Sequence, residues 1–162
     1  MAGVPANPGA RLRNATPDDS RGVHMARMMS ACGVWCSDCP AYRAKEKGLE
    51  HQKRTVAAWR RIYGLKETIE HMSCGGCLGP DEELFHTSRK CRARLCCRLE
   101  GFNSCAECPK VSCEDLERAQ SLWDEVPNLA STLSRADFVT YARPYCGHRR
   151  RLAAARTARR RP

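Results

Sequence analysis

The sequence predicts a mainly α fold, a small irregular helical domain held by cysteine metal knuckles with little or no sheet. Three observations predict it. Cys32, Cys36 and Cys39 fall within eight positions, and Cys74/Cys77, Cys91/Cys96 and Cys105/Cys108/Cys113 repeat the pattern downstream. The stretches between these groups carry apolar residues at helical rather than alternating spacing. Large anchors are few, three Phe and three Trp in 162 residues, so a core built from them alone is marginal and needs staples.

Taken in order, residues 1–28 lack hydrophobic periodicity and read as a disordered leader, with Met25, Met28 and Met29 standing as alternative starts before the first cysteine. Residues 29–146 form the cysteine-rich domain. After Cys39, Ser37 or Asp38 is placed to cap a short helix through Pro40, Ala41 and Lys45, and Gly48 supplies its stop. EHQKRTVAAWRRIY (50–63) predicts a helix with Val56, Trp59, Ile62 and Tyr63 on one face and Gly64 beyond its end; that stripe is core. SCGGCLGP then places two glycines between Cys74 and Cys77, where a tight turn lets amides face thiolate sulfurs. RKCRARLCCRLE (89–100) predicts a helix ending at Gly101; Cys91 and Cys96, five apart, cannot share one face, so one of them belongs to a helix end. Cys97 there reads as an ordinary buried small residue.

Beyond the C-x2-C-x4-C run of Cys105, Cys108 and Cys113, Ser112 with Asp115 resembles a capping arrangement for a helix carrying Leu116, Ala119, Leu122 and Trp123. Pro127 interrupts it, and Ser134 with Asp137 marks another start. Phe138, Tyr141 and Tyr145 are expected over the core. Residues 147–162 form a basic tail, compatible with a helix and read in preference as a solvated end.

The net charge of +10 is uneven. The tail holds seven Arg and no acid, whereas the middle holds 17 basic against 16 acidic residues. Any nucleic-acid association is therefore expected through the tail, by phosphate contact without sequence readout. The domain itself does not read as a phosphate-binding surface. No apolar stretch of about seven to fifteen residues marks a secretory signal near the start, and no run approaches the roughly 20 apolar residues of a membrane span. The expected setting is cytoplasmic, with thiols reduced and metal preferred over disulfide.

Zinc takes four soft ligands at tetrahedral corners, and each C-x2-C supplies two from one turn. Cys36/Cys39, Cys74/Cys77 and Cys105/Cys108 are three such half-sites. Cys32, Cys91, Cys96 and Cys113 complete the candidates, enough for two four-cysteine zinc sites with two to spare and with the pairing open. An iron–sulfur cluster uses the same ligands and is the alternative cofactor. Cys32-x3-Cys36-x2-Cys39 has the radical S-adenosylmethionine spacing, but a chain this short without βα alternation cannot build the barrel such enzymes need. The five histidines form no H-E-x-x-H, and no H-x-E accompanies a P-C-x-x-C, so no catalytic residue is named. His71 and His86 lie near enough to the knuckles to replace a cysteine, although solvent-facing positions are preferred.

ACGVWCSDCPAY, SCGGCLGP and CRARLCCRLEGFNSCAECPKVSCEDLE together resemble the prokaryotic cysteine-rich domain-of-unknown-function family 3795, from about Cys32 to Leu116. Cys97 and Cys146 fall outside its clear pattern, and RPYCGH looks like an extension found in some members. The resemblance implies zinc binding through these cysteines and transfers no activity. The resulting expectation is a cytosolic metal-binding module that acts by contact with a protein partner.

Overall fold

Gly48 divides the first long helical stretch. In the computed structural model, which describes residues 27–110 and 112–160 (only the backbone for Lys45), α1 spans Pro40–Tyr63 with a break at Gly48, φ 74° and ψ −173°. The leader expected over 1–28 lies outside the described residues except for Arg27 and Met28. Past the break the chain is tied back to its own start: a ring nitrogen of buried His51 lies 3.1 Å from the Pro40 carbonyl oxygen. Val56 and Trp59 turn inward, and Gly64, at φ 64°, closes the helix with its amide donating to the Arg60 carbonyl.

The remaining helices are α2 Arg92–Glu100, α3 Glu114–Ser121, α4 Arg135–Asp137, which continues into a π turn over Phe138–Ala142, and α5 His148–Arg159. Short 3-10 turns link them. Among the described residues there is no strand, only an isolated antiparallel bridge between Met29 and Trp35. The mainly α expectation holds. Gly101 at φ 70° ends α2, as its position predicts, and the Ser134 hydroxyl accepts the Asp137 amide at 3.1 Å.

Two expected caps differ. Cys39, not Ser37 or Asp38, occupies the N-cap of α1, and Cys113, not Ser112, that of α3; Cys91 takes the same position on α2. Cys91 and Cys113 make no side-chain cap hydrogen bond to their helices' amides in the manner of Ser or Asp. A sulfur at this position sits where the helix dipole favours negative charge, so the ends of three helices are given to thiols.

The core is an aromatic cluster. Trp59 meets Phe85 edge-on at 5.4 Å and Tyr145 at 6.4 Å, and Tyr145 stacks on Trp123 at 4.5 Å. Tyr145 is therefore inside the core, while Phe138 and Tyr141 are half-buried around it.

The stretch read as a solvated basic tail is, over 148–159, a helix docked by His148 and Leu152, both buried. Its arginines explain why a charged stretch can dock. Arg149 pairs with Glu117 and Asp124, Arg151 donates to the carbonyls of Gly33, Pro144 and Cys146, and Arg156 donates to the Cys105 carbonyl. Gly33 shows how close the approach is: at φ 101°, a Cβ there would stand 2.3 Å from the His148 carbonyl oxygen. Only glycine fits the turn beside Cys32.

Candidate metal centre

All twelve cysteines are free thiols. The first knuckle is shaped by its own backbone. Ser30 accepts the Val34 amide on its hydroxyl at 2.9 Å, and the Cys36 amide donates to the Met28 carbonyl at 2.8 Å. The hydroxyl of Ser30 also lies 3.3 Å from the Cys32 sulfur. A 3-10 turn over Cys36–Asp38 then brings Cys39 to the start of α1, where the amides of Ala41 and Tyr42 face its sulfur. The Tyr145 hydroxyl reaches the same sulfur at 3.3 Å.

The second knuckle, Cys74–Cys77, turns through Gly76 at φ 93°. Its glycine amides are not all free to face sulfur: Gly75 donates to the Glu83 carbonyl at 2.7 Å. Contact with sulfur comes from across the fold instead. The Ala31 amide points at Cys77 Sγ at 3.5 Å, and the Cys77 amide points at the Cys36 sulfur. The two knuckles thus interlock, each presenting an amide to the other's thiol. Arg94 of α2, fully buried, holds the knuckle from behind, its Nε donating to the Cys77 carbonyl at 2.6 Å and a terminal nitrogen to that of Gly79 at 3.0 Å.

The third knuckle, Cys105–Cys108, is fastened to the first, since the Cys105 amide donates to the Ala31 carbonyl at 3.0 Å. Cys97, on the buried face of α2, stands 3.6 Å sulfur to sulfur from Cys105. The sequence reads Cys97 as a buried packing residue, and it is buried in the core. Its signal was the helical phase, which puts it on the same face as Ala93 and Arg94 while Cys96 is exposed.

Electrostatics sort the thiols into neighbourhoods. Burial pushes Cys36 well up, and the charges of Cys77, Cys39 and Cys74 push it further. Burial raises Cys32 too, with added repulsion from Cys91 and Cys105. Cys77 is pushed up to about 12, by burial first and then by Cys32 and Cys91, against a lowering pull from the Ala31 amide and Arg94. Cys96 feels Cys105, Cys108 and Cys113, and Cys105 is driven up by its contact with Cys97 and by burial. Cys36 thus responds to Cys39, Cys74 and Cys77, Cys77 to Cys32 and Cys91, and Cys96 to Cys105, Cys108 and Cys113. The Cys146 sulfur is directed at the Ala142 carbonyl.

The donor chemistry suits a thiophilic ion. Buried thiolates that repel one another are stabilised by a shared cation, and binding one expels their protons. The spacing is looser than a bound tetrahedron. Among the described residues, no three sulfurs lie within 4.8 Å of one another, whereas zinc–sulfur bonds of about 2.3 Å place sulfurs about 3.8 Å apart. The knuckles must close by an ångström or more to seize a single ion.

A second feature was not legible in the charge count. A cleft of about 710 Å³ is lined by Arg27, Arg43, Lys47, Arg143, Arg150 and Arg151, with Asp38 as its carboxylate. Arg27 and Arg151 stand over Trp35 at 5.6 Å, and Arg27 pairs with Asp38 at 3.6 Å. Arg43, Lys47, Arg143 and Arg150 make no ion pair among the described residues.

Residues 28–118 match the family described as Protein of unknown function (DUF3795). No curated protein and no solved structure matches the chain.

Proposed function

The chain belongs to the DUF3795 family, and from its thiol arrangement we propose that it is a metal–thiolate module with two four-cysteine zinc sites. Cys36, Cys39, Cys74 and Cys77 hold one ion; Cys96, Cys105, Cys108 and Cys113 hold the other, with Cys97 beside the second quartet and Cys32 and Cys91 as the spare pair. The observation that carries this reading is the contact between the first two knuckles, the Ala31 amide beside Cys32 pointing at the Cys77 sulfur and the Cys77 amide at the Cys36 sulfur. Amide-to-sulfur bonds stabilise thiolates without occupying a metal coordination position. The module works in a reducing, cytoplasmic setting and acts by contact with a protein partner; no catalytic step is assigned. Among the described residues no helix is long and apolar enough to cross a membrane.

Elemental analysis of anaerobically purified protein, with a visible spectrum of the same sample, tests the proposal. The expected result is about two zinc ions per chain and no colour. Iron with matching sulfide and a brown sample would replace zinc by an iron–sulfur cluster, whose larger core takes sulfurs at wider spacing, and would make redox chemistry or sensing the function.

The basic cleft favours a second reading, association with a nucleic-acid backbone. The expected tail site gives way to the cleft here, because most tail arginines with described side chains are committed within the fold and Arg150 joins Arg43, Lys47 and Arg143 in the cleft. Reversing Arg43 and Lys47 to Glu is expected to weaken binding of a labelled oligonucleotide and flatten its salt dependence. Unchanged affinity, or none in the unaltered protein, would end this reading.

A further inference from the structure

We propose a third cation site, built from nitrogen and oxygen donors and separate from the thiol quartets, at Glu67, His71 and His86. Among the described residues this is the one group of three or more His, Cys, Asp or Glu whose ligand atoms all lie within 4.8 Å of one another. Glu67 Oε2 lies 3.4 Å from His71 Nδ1 and 3.4 Å from His86 Nδ1. The two ring centroids lie 5.0 Å apart, with the rings tilted 47° to one another.

The distances discriminate between two accounts. A direct hydrogen bond from an imidazole N–H to a carboxylate is expected at about 2.7–3.2 Å. Ligands held at about 2.0–2.2 Å by a tetrahedral ion stand about 3.3–3.6 Å apart. Both observed separations fall in the second range. His71 Nδ1 also lies 3.5 Å from the Thr68 hydroxyl, at the limit of a hydrogen bond and too far to account for the ring's direction.

Burial supplies the need for a cation. The Glu67 side chain is only 8% exposed, and among the described residues no Lys or Arg pairs with its carboxylate. A buried carboxylate without a charge partner is costly. Arg60 does approach, but its Nε and terminal nitrogen donate to the Glu67 backbone carbonyl at 3.1 and 2.7 Å. That contact fixes the backbone of the ligand and leaves the carboxylate to the imidazoles.

The three ligands are also held by independent parts of the core. Fully buried Met72 anchors the turn after His71, and Phe85, packed on Trp59, anchors His86. The imidazoles themselves remain 52% and 42% exposed, so water completes the coordination and the ion exchanges with solvent. Two imidazoles and one carboxylate suit a first-row divalent cation such as Zn²⁺, Co²⁺ or Ni²⁺ rather than Ca²⁺ or Mg²⁺. The sequence placed these histidines as substitutes for a cysteine or as solvent-facing residues. Both are solvent-facing as preferred, and the partner they share is a glutamate four residues before the first of them.

Cobalt(II) is the probe, titrated into the protein as purified with its thiol-bound metal in place. One Co²⁺ per chain is expected, with the weak visible bands of nitrogen and oxygen ligation and no intense near-ultraviolet thiolate-to-cobalt absorption. His71→Gln/His86→Gln should lower that affinity about 100-fold or more, while as-purified metal content and thermal unfolding stay unchanged. Glu67→Gln should weaken it as well. Three results would overturn the site: no cobalt bound at millimolar concentration, equal binding by the double variant, or loss of the thiol-bound metal in the double variant. The last would assign the histidines to a quartet instead.

Discussion

Removing the metal from the reduced protein with a strong chelator is expected to unfold it. A structural zinc contributes roughly 10–16 kcal/mol of apparent binding free energy in small fingers, comparable to or larger than a domain's net stability of about 5–15 kcal/mol. Little else in this fold substitutes for it. The aromatic cluster around Trp59 and Tyr145 is small, and the knuckles cross-link distant segments, Ala31 to Cys77 and Ala31 to Cys105. Circular dichroism should lose its helical signal and its cooperative thermal transition, and added Zn²⁺ should restore both. A chelated protein that still melts cooperatively at a similar temperature would show that packing alone carries the fold.

The same experiment has a pH signature with a defined sign. Cys32, Cys36, Cys39, Cys77 and Cys105 have folded, metal-free pKa values raised mainly by burial and neighbouring sulfur, Cys77 to about 12. A raised value means that the metal-free fold prefers the protonated thiol. Its contribution is fully present below the unfolded thiol pKa of about 8.5 and is lost as pH climbs toward the folded values. Metal affinity runs the other way, because each bound thiolate releases a proton. Refolding of the metal-free protein by Zn²⁺ should therefore need less metal as pH rises from 6 to 9, read by circular dichroism in a zinc titration at each pH.

The second large effect is expected at Arg94. This side chain is fully buried, donates to the Cys77 and Gly79 carbonyls, and meets Asp81. Arg94→Ala leaves both carbonyls without their charged donor and opens a void, a combined cost of about 3–6 kcal/mol. Arg94→Lys keeps the charge but not the two-pronged geometry, and should recover less than half of that loss. Urea denaturation of the metal-loaded variants measures both. A cost for the alanine variant below about 1 kcal/mol, the range of an ordinary substitution, would mean that the knuckle supports itself.

Arg94 also shows where reading the chain in one dimension stops. In RARLCCRLE it is one of three arginines on a short helix, and charge alone makes it a surface residue. Its burial depends on the carbonyls of Gly79 and Cys77, fifteen and seventeen residues earlier. The charge balance failed in the same way: 17 bases against 16 acids in the middle gave no hint that Arg43, Lys47 and Arg143 meet Arg150 across one cleft. A sum over a segment carries no information about which members share a face.

What the chain declared by itself was local and chemical. Glycine after α1 and α2, Ser134 before α4, the inward stripe of Val56 and Trp59, and the mainly α class all depend on interactions within a few residues, which spacing and residue type determine. The proposal of ten thiol ligands rests on local chemistry too, because softness toward metals belongs to the side chain. Tertiary structure alone decided which knuckles face each other, that Cys97 lies against Cys105, that Tyr145 reaches the sulfur of Cys39 from beyond the family match, and that Glu67 meets two histidines. Each of these joins residues through contacts that several segments must fold at once to create. No single stretch of sequence bears their cost or shows their gain, so no single stretch announces them.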